Sequence, residues 1–283
     1  GIKNRIDIHV KKNKTKGIAI NGFPVKKASD LFGLANVVIF SPEDLSLIKD
    51  GPRERRRFID LELCQLNKIY LYNLTRYNRV LLQKNKLLKD ISFKPQLEDS
   101  LFVWDEELVK YGQALIRLRR EFIESLQEKL IRIHRNISGG REELVLSYEE
   151  NVKEEAFLES VLRAREAEKK QKISLVGPHR DDLLFQINGE DIRKFGSQGQ
   201  KRTAALSLKL AEIELVKEKI EDYPILLLDD VFSELDKKRQ NFLLDEISDV
   251  QSIITCTGLE DLIENRFPID KLYYVEGGKI ECP

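Results

Sequence analysis

The sequence predicts an α/β fold, in which a mixed sheet flanked by helices forms one lobe and a helical insertion forms a second. Three observations predict it: short β-rich runs open the chain, a long middle stretch has helical periodicity, and strands and helices alternate from Ile173 onward. With 283 residues, 41% of them hydrophobic and 34% charged, the chain is long enough for two lobes and composed like a folded globular protein.

The N-terminal region contains short β-rich segments. Residues 5–10 and 17–20 predict a hairpin, and Asn21-Gly22 predicts the turn that follows it. Residues 36–40 (NVVIF) predict a buried strand that ends before a proline and leads into a loop, SPEDLSLIKDGP. Because these strands have no core of their own, we expect them to join the sheet of the C-terminal part.

The middle of the chain is predicted to be helical. In residues 54–89 and 103–133, apolar side chains recur at helical intervals, so the two stretches are expected to pair as an arm. Residues 138–140 (SGG) break the helical pattern, an alternating run LVLSY follows, and residues 152–171 return to a charged helix.

The C-terminal part alternates strands and helices. The predicted order is strands 173–177 and 183–187, a turn at Asn188-Gly189, helix 199–219, strand 225–229, helix 237–247, strand 252–256, helix 259–265 and strand 272–275. We therefore assign residues 1–50 plus 171–283 to a discontinuous α/β lobe and residues 51–170 to the helical insertion.

Composition limits the possible partners and compartments. Lysine plus arginine number 48, as do aspartate plus glutamate, so any affinity for nucleic acid must come from a local patch. Cys64, Cys256 and Cys282 lack CxxC spacing, which favours packing roles in a reducing cytoplasm. The longest apolar run, residues 225–228, is too short to span a membrane, and no leader is visible, so we expect a cytoplasmic protein. Because no methionine occurs, we expect further residues before Gly1.

Two adjacent carboxylates end the strand PILLLDD. The carboxyl end of a buried strand faces the crevice where α/β proteins bind ligands. Magnesium prefers hard oxygen ligands and keeps several waters, so one carboxylate beside nucleotide phosphates can hold it. Since neighbouring side chains of a strand point apart, Asp229 is predicted to bind the metal and Asp230 to orient or deprotonate an attacking water. The alternative is that both acids cap the following turn.

A second polar motif, FGSQGQKRT, precedes a predicted helix. Ser197 is a natural N-cap, and Gly199 lets the backbone approach a ligand. Free N–H groups and the positive end of the helix dipole make this terminus an anion site that suits a phosphate, although an ordinary helix cap is the alternative. The predicted buried stripe of the helix contains Leu206, Leu210, Ile213, Val216 and Ile220.

The two motifs, about 25 residues apart, resemble the signature motif and Walker B strand of an ABC-type ATPase head, with a D-loop following. Nearly the whole chain resembles the RecF family, which is related to SMC proteins. The matching stretches are NVVIFSPEDLSLIKDGP, RRRFIDLEL, LYNLTRYNRVLLQKNKLLK, VGPHRDDL, FGSQGQKRTAALSLKLAEIEL and PILLLDDVFSELD. The resemblance implies an α/β ABC-type ATPase head with an inserted helical arm.

The resemblance also implies roles for single residues. A signature loop that touches the γ-phosphate held by the opposite subunit would consist of Ser197, Gln198, Gly199 and Gln200. Asp229 matches the Walker B magnesium ligand, Asp230 the catalytic carboxylate, and Ser233 and Asp236 the D-loop at the dimer interface. Glu43 lies where related heads carry the Q-loop and is, with Asp230, the other implied catalytic residue. ATP and Mg²⁺ are the implied cofactors, and the implied assembly is an ATP-dependent homodimer.

The function implied by the resemblance is ATP-dependent DNA binding in recombinational repair, replication-fork maintenance and the SOS response. The implied partners are single-stranded DNA, gapped duplex DNA, and the mediators RecR and RecO, with weak, DNA-stimulated ATP hydrolysis. One alternative is an SMC-like structural ATPase head of another DNA-organising or defence system. A more distant one is a metal-dependent nuclease that uses Asp181, Asp182, Asp229 and Asp230.

Three departures from the family pattern limit the expected activity. The Walker A consensus G-x-x-x-x-G-K-[ST] does not occur in the sequence, so this chain alone is expected to bind ATP poorly and to be inactive. Pro42-Glu43 replaces the Q-loop glutamine, and residues 255–257 stand where many ABC heads place a histidine. Hydrolysis is therefore expected to be slow.

DNA contacts are expected where basic residues cluster, because neutralising phosphates needs grouped arginine and lysine. The candidates are Arg53, Arg55, Arg56 and Arg57, and on the arm Arg76, Arg79, Lys84 and Lys86. The alternative is a solvated helix face. His9 and His134 are expected to be structural, whereas His179 in GPHRDD is expected to contact a phosphate or another lobe.

Overall fold

The computed structural model describes residues 4–12, 16–257 and 269–281. The strands are β1 (Ile6–His9), β2 (Gly17–Ile20), β3 (Phe23–Val25), β4 (Val37–Phe40), β5 (Leu144–Glu149), β6 (Asp182–Ile187), β7 (Glu190–Asp191), β8 (Ile225–Asp229), β9 (Ser252–Thr255), β10 (Tyr274–Glu276) and β11 (Lys279–Glu281). The helices are α1 (Leu45–Lys49), α2 (Pro52–Leu66), α3 (Lys68–Asp90), α4 (Leu101–Ser138), α5 (Phe157–Gln171), α6 (Ile192–Phe195), α7 (Gln198–Ile220) and α8 (Lys237–Glu246). The predicted helix 259–265 and Cys282 lie outside the described residues.

A parallel sheet of order β4-β8-β9 joins the two ends of the chain. Phe40 pairs with Leu228, and Leu228 pairs with Ile254. Val38, Phe40, Leu226 and Leu228 are buried, as expected for strands that read as continuous apolar runs. The prediction that residues 36–40 join the C-terminal sheet is confirmed, but the same prediction is wrong for the N-terminal hairpin, because β1 and β2 belong to a separate sheet.

The antiparallel strands form three further groups. β1, β2 and β3 form a meander, which confirms the predicted hairpin and adds a strand after the Asn21-Gly22 turn. β5, β6 and β7 form a second sheet with a tight turn at Asn188-Gly189, where φ is 51° and 86°. β10 pairs with β11, a partner that the sequence did not predict.

The predicted helical stretch 54–89 is two helices. The side chain of Asn67 accepts hydrogen bonds from the backbone N–H groups of Ile69 and Tyr70, so it ends α2 and caps α3. α3 packs along α4, as the predicted arm requires. α4 ends at Gly139, which has the left-handed conformation (φ 67°) that glycine adopts without steric cost.

The segment SPEDLSLIKDGP is helical instead of a loop. Residues 42–44 form a 3₁₀ turn and α1 follows directly. The side chain of Asp44 accepts a hydrogen bond from the Ser41 N–H (2.8 Å), which completes a capping box. We interpreted Pro42 as the residue that ends the preceding strand. It also occupies the first position of this turn, where proline is favoured.

The predicted strand 173–177 is irregular. Three of its N–H groups donate to side chains from elsewhere in the chain, and the segment pairs with no strand in the described sheets. Ser174 donates to Asn85 Oδ1 (2.6 Å), Leu175 to Glu168 Oε1 (2.8 Å) and Gly177 to Asn151 Oδ1 (2.9 Å). These bonds satisfy the backbone without a neighbouring strand.

The middle of helix α7 is buried on all sides, so the predicted single apolar stripe was too narrow. Every residue from 203 to 213 is buried, including Lys209 and Glu212, which form an ion pair of 2.7 Å. The helix packs against α4, α1, α2 and β4. A helix that is buried all round lies in the middle of a core and not at its surface.

The boundary expected at residue 171 runs between two paired strands. β5 lies on the insertion side of that boundary and β6 on the α/β side, yet they pair over six residues. The division into residues 1–50 plus 171–283 and residues 51–170 stays a prediction.

A buried polar network centred on Arg119 joins three helices to the GPHRDD segment. The guanidinium, 2% exposed, donates to Asp181 Oδ2 (3.0 Å), Asp60 Oδ1 (2.8 Å) and the Tyr70 hydroxyl oxygen (2.9 Å). Asp181 is fully buried and also accepts from the Tyr148 hydroxyl group and the Asn151 N–H. Burial raises the pKa of the Asp181 carboxyl, and Arg119 opposes that rise.

Replacing Arg119 by alanine is predicted to destabilise the fold by about 3–5 kcal/mol, because Asp181 would remain buried without its counter-charge. Arg117→Ala is the matched control: this exposed arginine pairs with Glu154 at the surface (3.1 Å), and its loss should cost less than about 1 kcal/mol. Urea unfolding of both variants measures the difference. Equal free energies of unfolding would show that the network contributes nothing specific.

Candidate functional site

The carboxyl ends of the parallel strands place the predicted acidic residues at one edge of the sheet. Asp229 ends β8 and pairs in register with Thr255, which ends β9. Glu43 is exposed in the 3₁₀ turn that follows β4, the other neighbour of β8. The sheet therefore brings Glu43 and Asp229 to the same edge, where α/β proteins bind their ligands.

Thr255 holds the carboxylate of Asp229. Its hydroxyl group donates to Asp229 Oδ1 over 2.6 Å, and Asp229 is exposed at the strand end. Within the described residues, no group of three or more His, Cys, Asp or Glu side chains can hold a metal ion without further ligands. An exposed carboxylate of this kind fits Mg²⁺ that is bound mainly by phosphate oxygens and water.

Asp230 lies just beyond the last residue of β8, so the strand alternation that we had expected to separate it from Asp229 does not apply to it. Its φ is 51°, in the left-handed region. Its N–H group donates to the Thr255 carbonyl oxygen (3.1 Å) and hydroxyl oxygen (3.2 Å). Its Oδ1 atom is buried and has no hydrogen-bond partner among the described residues. Because such an oxygen is costly to bury unpaired, this position suits a bound water.

The predicted N-cap at Ser197 is confirmed. Its hydroxyl oxygen accepts from the Gln200 N–H (3.2 Å), and the Gln200 side chain accepts from the Ser197 N–H (2.9 Å). Ser197, Gln198 and Gly199 are exposed, and a Cβ atom at Gly199 would meet only the Ser197 hydroxyl oxygen, at 3.9 Å. Gln200 also donates to Glu142 Oε1 (3.1 Å), which fixes the turn further. The first turn of α7 is therefore ordered and open to solvent.

The segment after Asp230 is tied to the first turns of α7. Ser233 donates to the Asp230 carbonyl oxygen (2.8 Å), and Asp236 caps α8 by accepting from the Arg239 N–H (3.0 Å). This backbone hydrogen bond lowers the pKa of the Asp236 carboxyl. Arg239 also donates to the Thr203 hydroxyl oxygen (2.9 Å).

An ion pair between Arg202 and Glu234 makes a second link between α7 and this segment. We had not singled out Arg202 or Arg239, and we had noted Thr255 only as a replacement for histidine. Arg202 could have been predicted from the sequence, because it lies within the FGSQGQKRT motif. Arg239 could not, because its partner Thr203 lies 36 residues away.

A separate cleft of about 320 Å³ lies beside β6 and α6. It is lined by Arg55, Asp182, Phe185, Asp191 and Arg193 among others, and the candidate residues at the sheet edge do not line it. We therefore place the candidate site at the sheet edge, where the candidate residues lie, and not in this cleft.

The structure corrects part of the predicted DNA surface. Arg55 is 2% exposed and binds both carboxylate oxygens of Asp182 (2.6 and 2.9 Å), so it cannot reach a phosphate. Arg56 donates inward to the Asp181 carbonyl oxygen (2.6 Å). Lys84 is 1% exposed between Asp105 and Glu168. The remaining candidates are exposed: Arg53, Arg57, Arg76, Arg79 and Lys86.

The histidines within the buried regions are structural. His134 is buried against the Ser207 hydroxyl group (3.0 Å), as predicted. His179 contacts the Tyr77 hydroxyl group (2.6 Å) and the Ser174 carbonyl oxygen (3.2 Å). Burial lowers the pKa of His179 to about 4, so it is neutral at pH 7 and does not act as a cationic phosphate ligand.

The nuclease alternative is wrong. It needs Asp181 and Asp182 to share metal ions with Asp229 and Asp230, but Asp181 is held by Arg119 and Asp182 by Arg55. No metal-binding cluster of acidic residues exists among the residues that the structure describes.

A parallel sheet whose central strand ends in paired acids, together with an open serine-capped helix, is consistent with the fold of an ATPase head of the ABC type. The chain is 58% identical to the DNA replication and repair protein RecF of Agathobacter rectalis over 277 residues, which are 98% of this chain and 76% of the relative. The protein of the same name from Clostridium kluyveri is 44% identical over 283 residues, 98% of this chain and 77% of the relative. The chain belongs to the RecF family.

Solved structures agree with this assignment. The recombination mediator protein RecF with ATP, described as acting in the RecFOR pathway, is 35% identical with a TM-score of 0.90, over 99% of this chain and 76% of that one. An SMC head domain from Pyrococcus furiosus has a TM-score of 0.52 at 17% identity over 98% of this chain and 71% of that one, which supports the fold alone. No family model matches the sequence.

The predicted α/β ABC-type ATPase fold and the resemblance to the RecF family are thus confirmed. The helices within the described ranges include none with a stretch long and apolar enough to cross a membrane.

Replacing Thr255 by valine is predicted to raise the Mg²⁺ concentration needed for half-maximal ATP turnover about tenfold, since a hydrogen bond to a charged group contributes about 1.5–3 kcal/mol. The assay uses this chain joined to a Walker A loop, called here the Walker A-containing protein. Thr255→Ser keeps the hydroxyl group and should restore the wild-type Mg²⁺ dependence. If valine and threonine gave the same dependence, Thr255 would not position Asp229.

Proposed function

We propose that this chain is the main part of an ATP-dependent DNA-binding protein of recombinational repair and replication-fork maintenance, in which two copies close around ATP and Mg²⁺. The observation that carries the proposal is the exposed, serine-capped first turn of α7. Its free N–H groups and the helix dipole favour an anion, and the buried middle of the helix holds that turn in place.

The phosphate that Ser197 meets is proposed to belong to nucleotide on the second copy. Asp229 would hold Mg²⁺ at the sheet edge of one copy while Ser197 of the other copy donates to the terminal phosphate. A two-fold dimer repeats this contact, so two equivalent sites form together. The links from Arg202 and Arg239 to α7 would couple the D-loop, with Ser233 and Asp236, to the same interface.

The chain's own residues suggest how the site works. Thr255 orients the Asp229 carboxylate, and the buried oxygen of Asp230 would hold the attacking water and take its proton. Mg²⁺, when bound, supplies charge neutralisation at the phosphates. Glu43, at the same edge, would serve at the Q-loop position. The absent Q-loop glutamine and histidine support slow hydrolysis, and DNA stimulation of this activity is part of the proposal.

DNA binding is proposed for the exposed basic residues Arg53, Arg57, Arg76 and Arg79. Two exposed pairs, one at the start of α2 and one on α3, offer separate contact points for phosphates. By family resemblance the proposed partners are RecR and RecO, and the proposed location is the cytoplasm. The proposed lobes are residues 1–50 plus 171–283 and residues 51–170.

The runner-up, a structural SMC-like head, is less well supported. Such a head needs a long coiled coil in its insertion. α4 is 38 residues long, but it packs against α7 and β5 as well as α3, so the arm lies on the protein instead of projecting from it.

In the Walker A-containing protein, Ser197→Arg is predicted to abolish ATP-driven dimerisation while nucleotide binding stays normal. A bulky cation at the open turn would block the approach of the second copy, whereas the nucleotide loop lies elsewhere. Sedimentation velocity with and without ATP measures the assembly, and binding of a fluorescent ATP analogue measures affinity.

Ser248→Arg is the matched control, because Ser248 is exposed at a distance from both motifs along the chain. It should dimerise normally. Normal ATP-dependent dimers of the Ser197→Arg variant would count against a shared nucleotide site.

A further inference from the structure

Helix α3 presents a continuous stripe of polar and aromatic side chains on one face. Spacings of three or four residues align them along the helix. The residues are Lys68, Tyr72, Arg76, Arg79, Gln83 and Lys86, called here the α3 stripe. All are exposed except the half-buried Gln83. At 1.5 Å per residue the stripe is about 27 Å long.

The cations of the α3 stripe are not neutralised by neighbouring acids. None of its lysines or arginines forms an ion pair within the described residues, and Asp90 is the only acid in the sequence of α3. Elsewhere on the surface long cations do find partners, as Lys129 does with Glu218 and Arg132 with Glu214. In a chain with equal numbers of acidic and basic residues, an acid-free row of cations is a local feature that attracts a polyanion.

An oriented aromatic ring lies within this row. Tyr72 is 54% exposed, and its ring meets that of Tyr111 on α4 edge-on, with centroids 6.3 Å apart and an interplanar angle of 72°. The Arg76 guanidinium lies 5.4 Å from the Tyr72 centroid. The contact with Tyr111 fixes the ring before any ligand arrives, which reduces the entropy lost on binding.

We propose that the α3 stripe binds single-stranded DNA, with its cations on the phosphates and an unpaired base stacked at Tyr72 and Arg76. A cationic groove or row combined with a stacking ring is how proteins hold single strands without reading their sequence. In a duplex the bases are already stacked on each other, so Tyr72 adds affinity for the single strand only. The inference rests on the proposed function in one respect, that the ligand is DNA.

The test is fluorescence anisotropy of a labelled oligothymidylate and of a labelled duplex, using the Walker A-containing protein with ATP and Mg²⁺. Tyr72→Ala should raise the Kd for the single strand about tenfold, within the range for loss of one stacked base, and leave the duplex Kd unchanged. Tyr72→Phe keeps the ring and should bind like wild type.

The cations are tested by the salt dependence of binding. The double variant Arg76→Gln/Arg79→Gln should reduce the slope of log K against log salt by about 1.4 for the single strand, or about 0.7 for each lost phosphate contact. Lys26→Gln, an exposed lysine in the N-terminal meander, is the control and should leave the slope unchanged. Because the arginines are exposed, this variant remains informative if Tyr72→Ala folds poorly in a thermal melt.

The outcomes separate this inference from the proposed function. If wild type binds DNA but neither the Tyr72→Ala nor the arginine variant changes single-strand binding, the α3 stripe is not the contact surface and the proposed function stands. Equal losses for single strand and duplex in Tyr72→Ala would overturn base stacking. If wild type binds neither DNA, both the inference and the proposed function fail.

Discussion

The burial of the middle of α7, residues 203–213, on all sides is the constraint on which the rest of the structure depends. Charged side chains in its middle would be unfavourable to bury without a partner. Lys209 and Glu212 form an ion pair of 2.7 Å there. Burial also raises the pKa of the nearby Glu62 carboxyl well above its ordinary value. A helix held this way cannot shift freely, so its exposed first turn keeps one position relative to the sheet edge.

Helix α4 connects the two functional surfaces. One part of it packs against α3, which carries the proposed DNA stripe, and it also packs against α7, which carries Ser197. The Arg119 network fixes α4 to α2 and α3 through Asp60 and Tyr70. The proposed DNA stripe and the turn that we propose meets the nucleotide therefore rest on the same packed helix.

The parts of the fold predicted from sequence are those whose signals are local. Apolar runs marked β4 and β8, a serine followed three residues later by glutamine marked the start of α7, and Asn-Gly pairs marked two turns. Motifs shared with the RecF family suggested the roles of Asp229 and Ser197. The spacing of the two motifs alone did not distinguish a binding site from ordinary caps.

The wrong predictions concern residues whose structure depends on contacts with residues far away in the sequence. Residues 173–177 were predicted to form a strand, but three of their N–H groups donate to side-chain oxygens of Asn85, Asn151 and Glu168. Arg55 was predicted to contact DNA, but it is buried in an ion pair with Asp182, which lies 127 residues away in the sequence. Thr255 gave no signal of its own, because its link to Asp229 depends on the register of β8 and β9.

The central claim is that Ser197 and Asp229 of different copies share one nucleotide, and mixing two inactive variants tests it most directly. In the Walker A-containing protein, Ser197→Ala, which lacks the steric block of arginine, and Asp229→Asn should each impair both sites of their own dimer. In a mixed dimer both changes fall in one site and leave the other intact, so an equal mixture should recover about a quarter of the wild-type ATP turnover if subunits exchange freely. No recovery, with subunit exchange verified, would mean that the two residues act within one chain and would contradict the account.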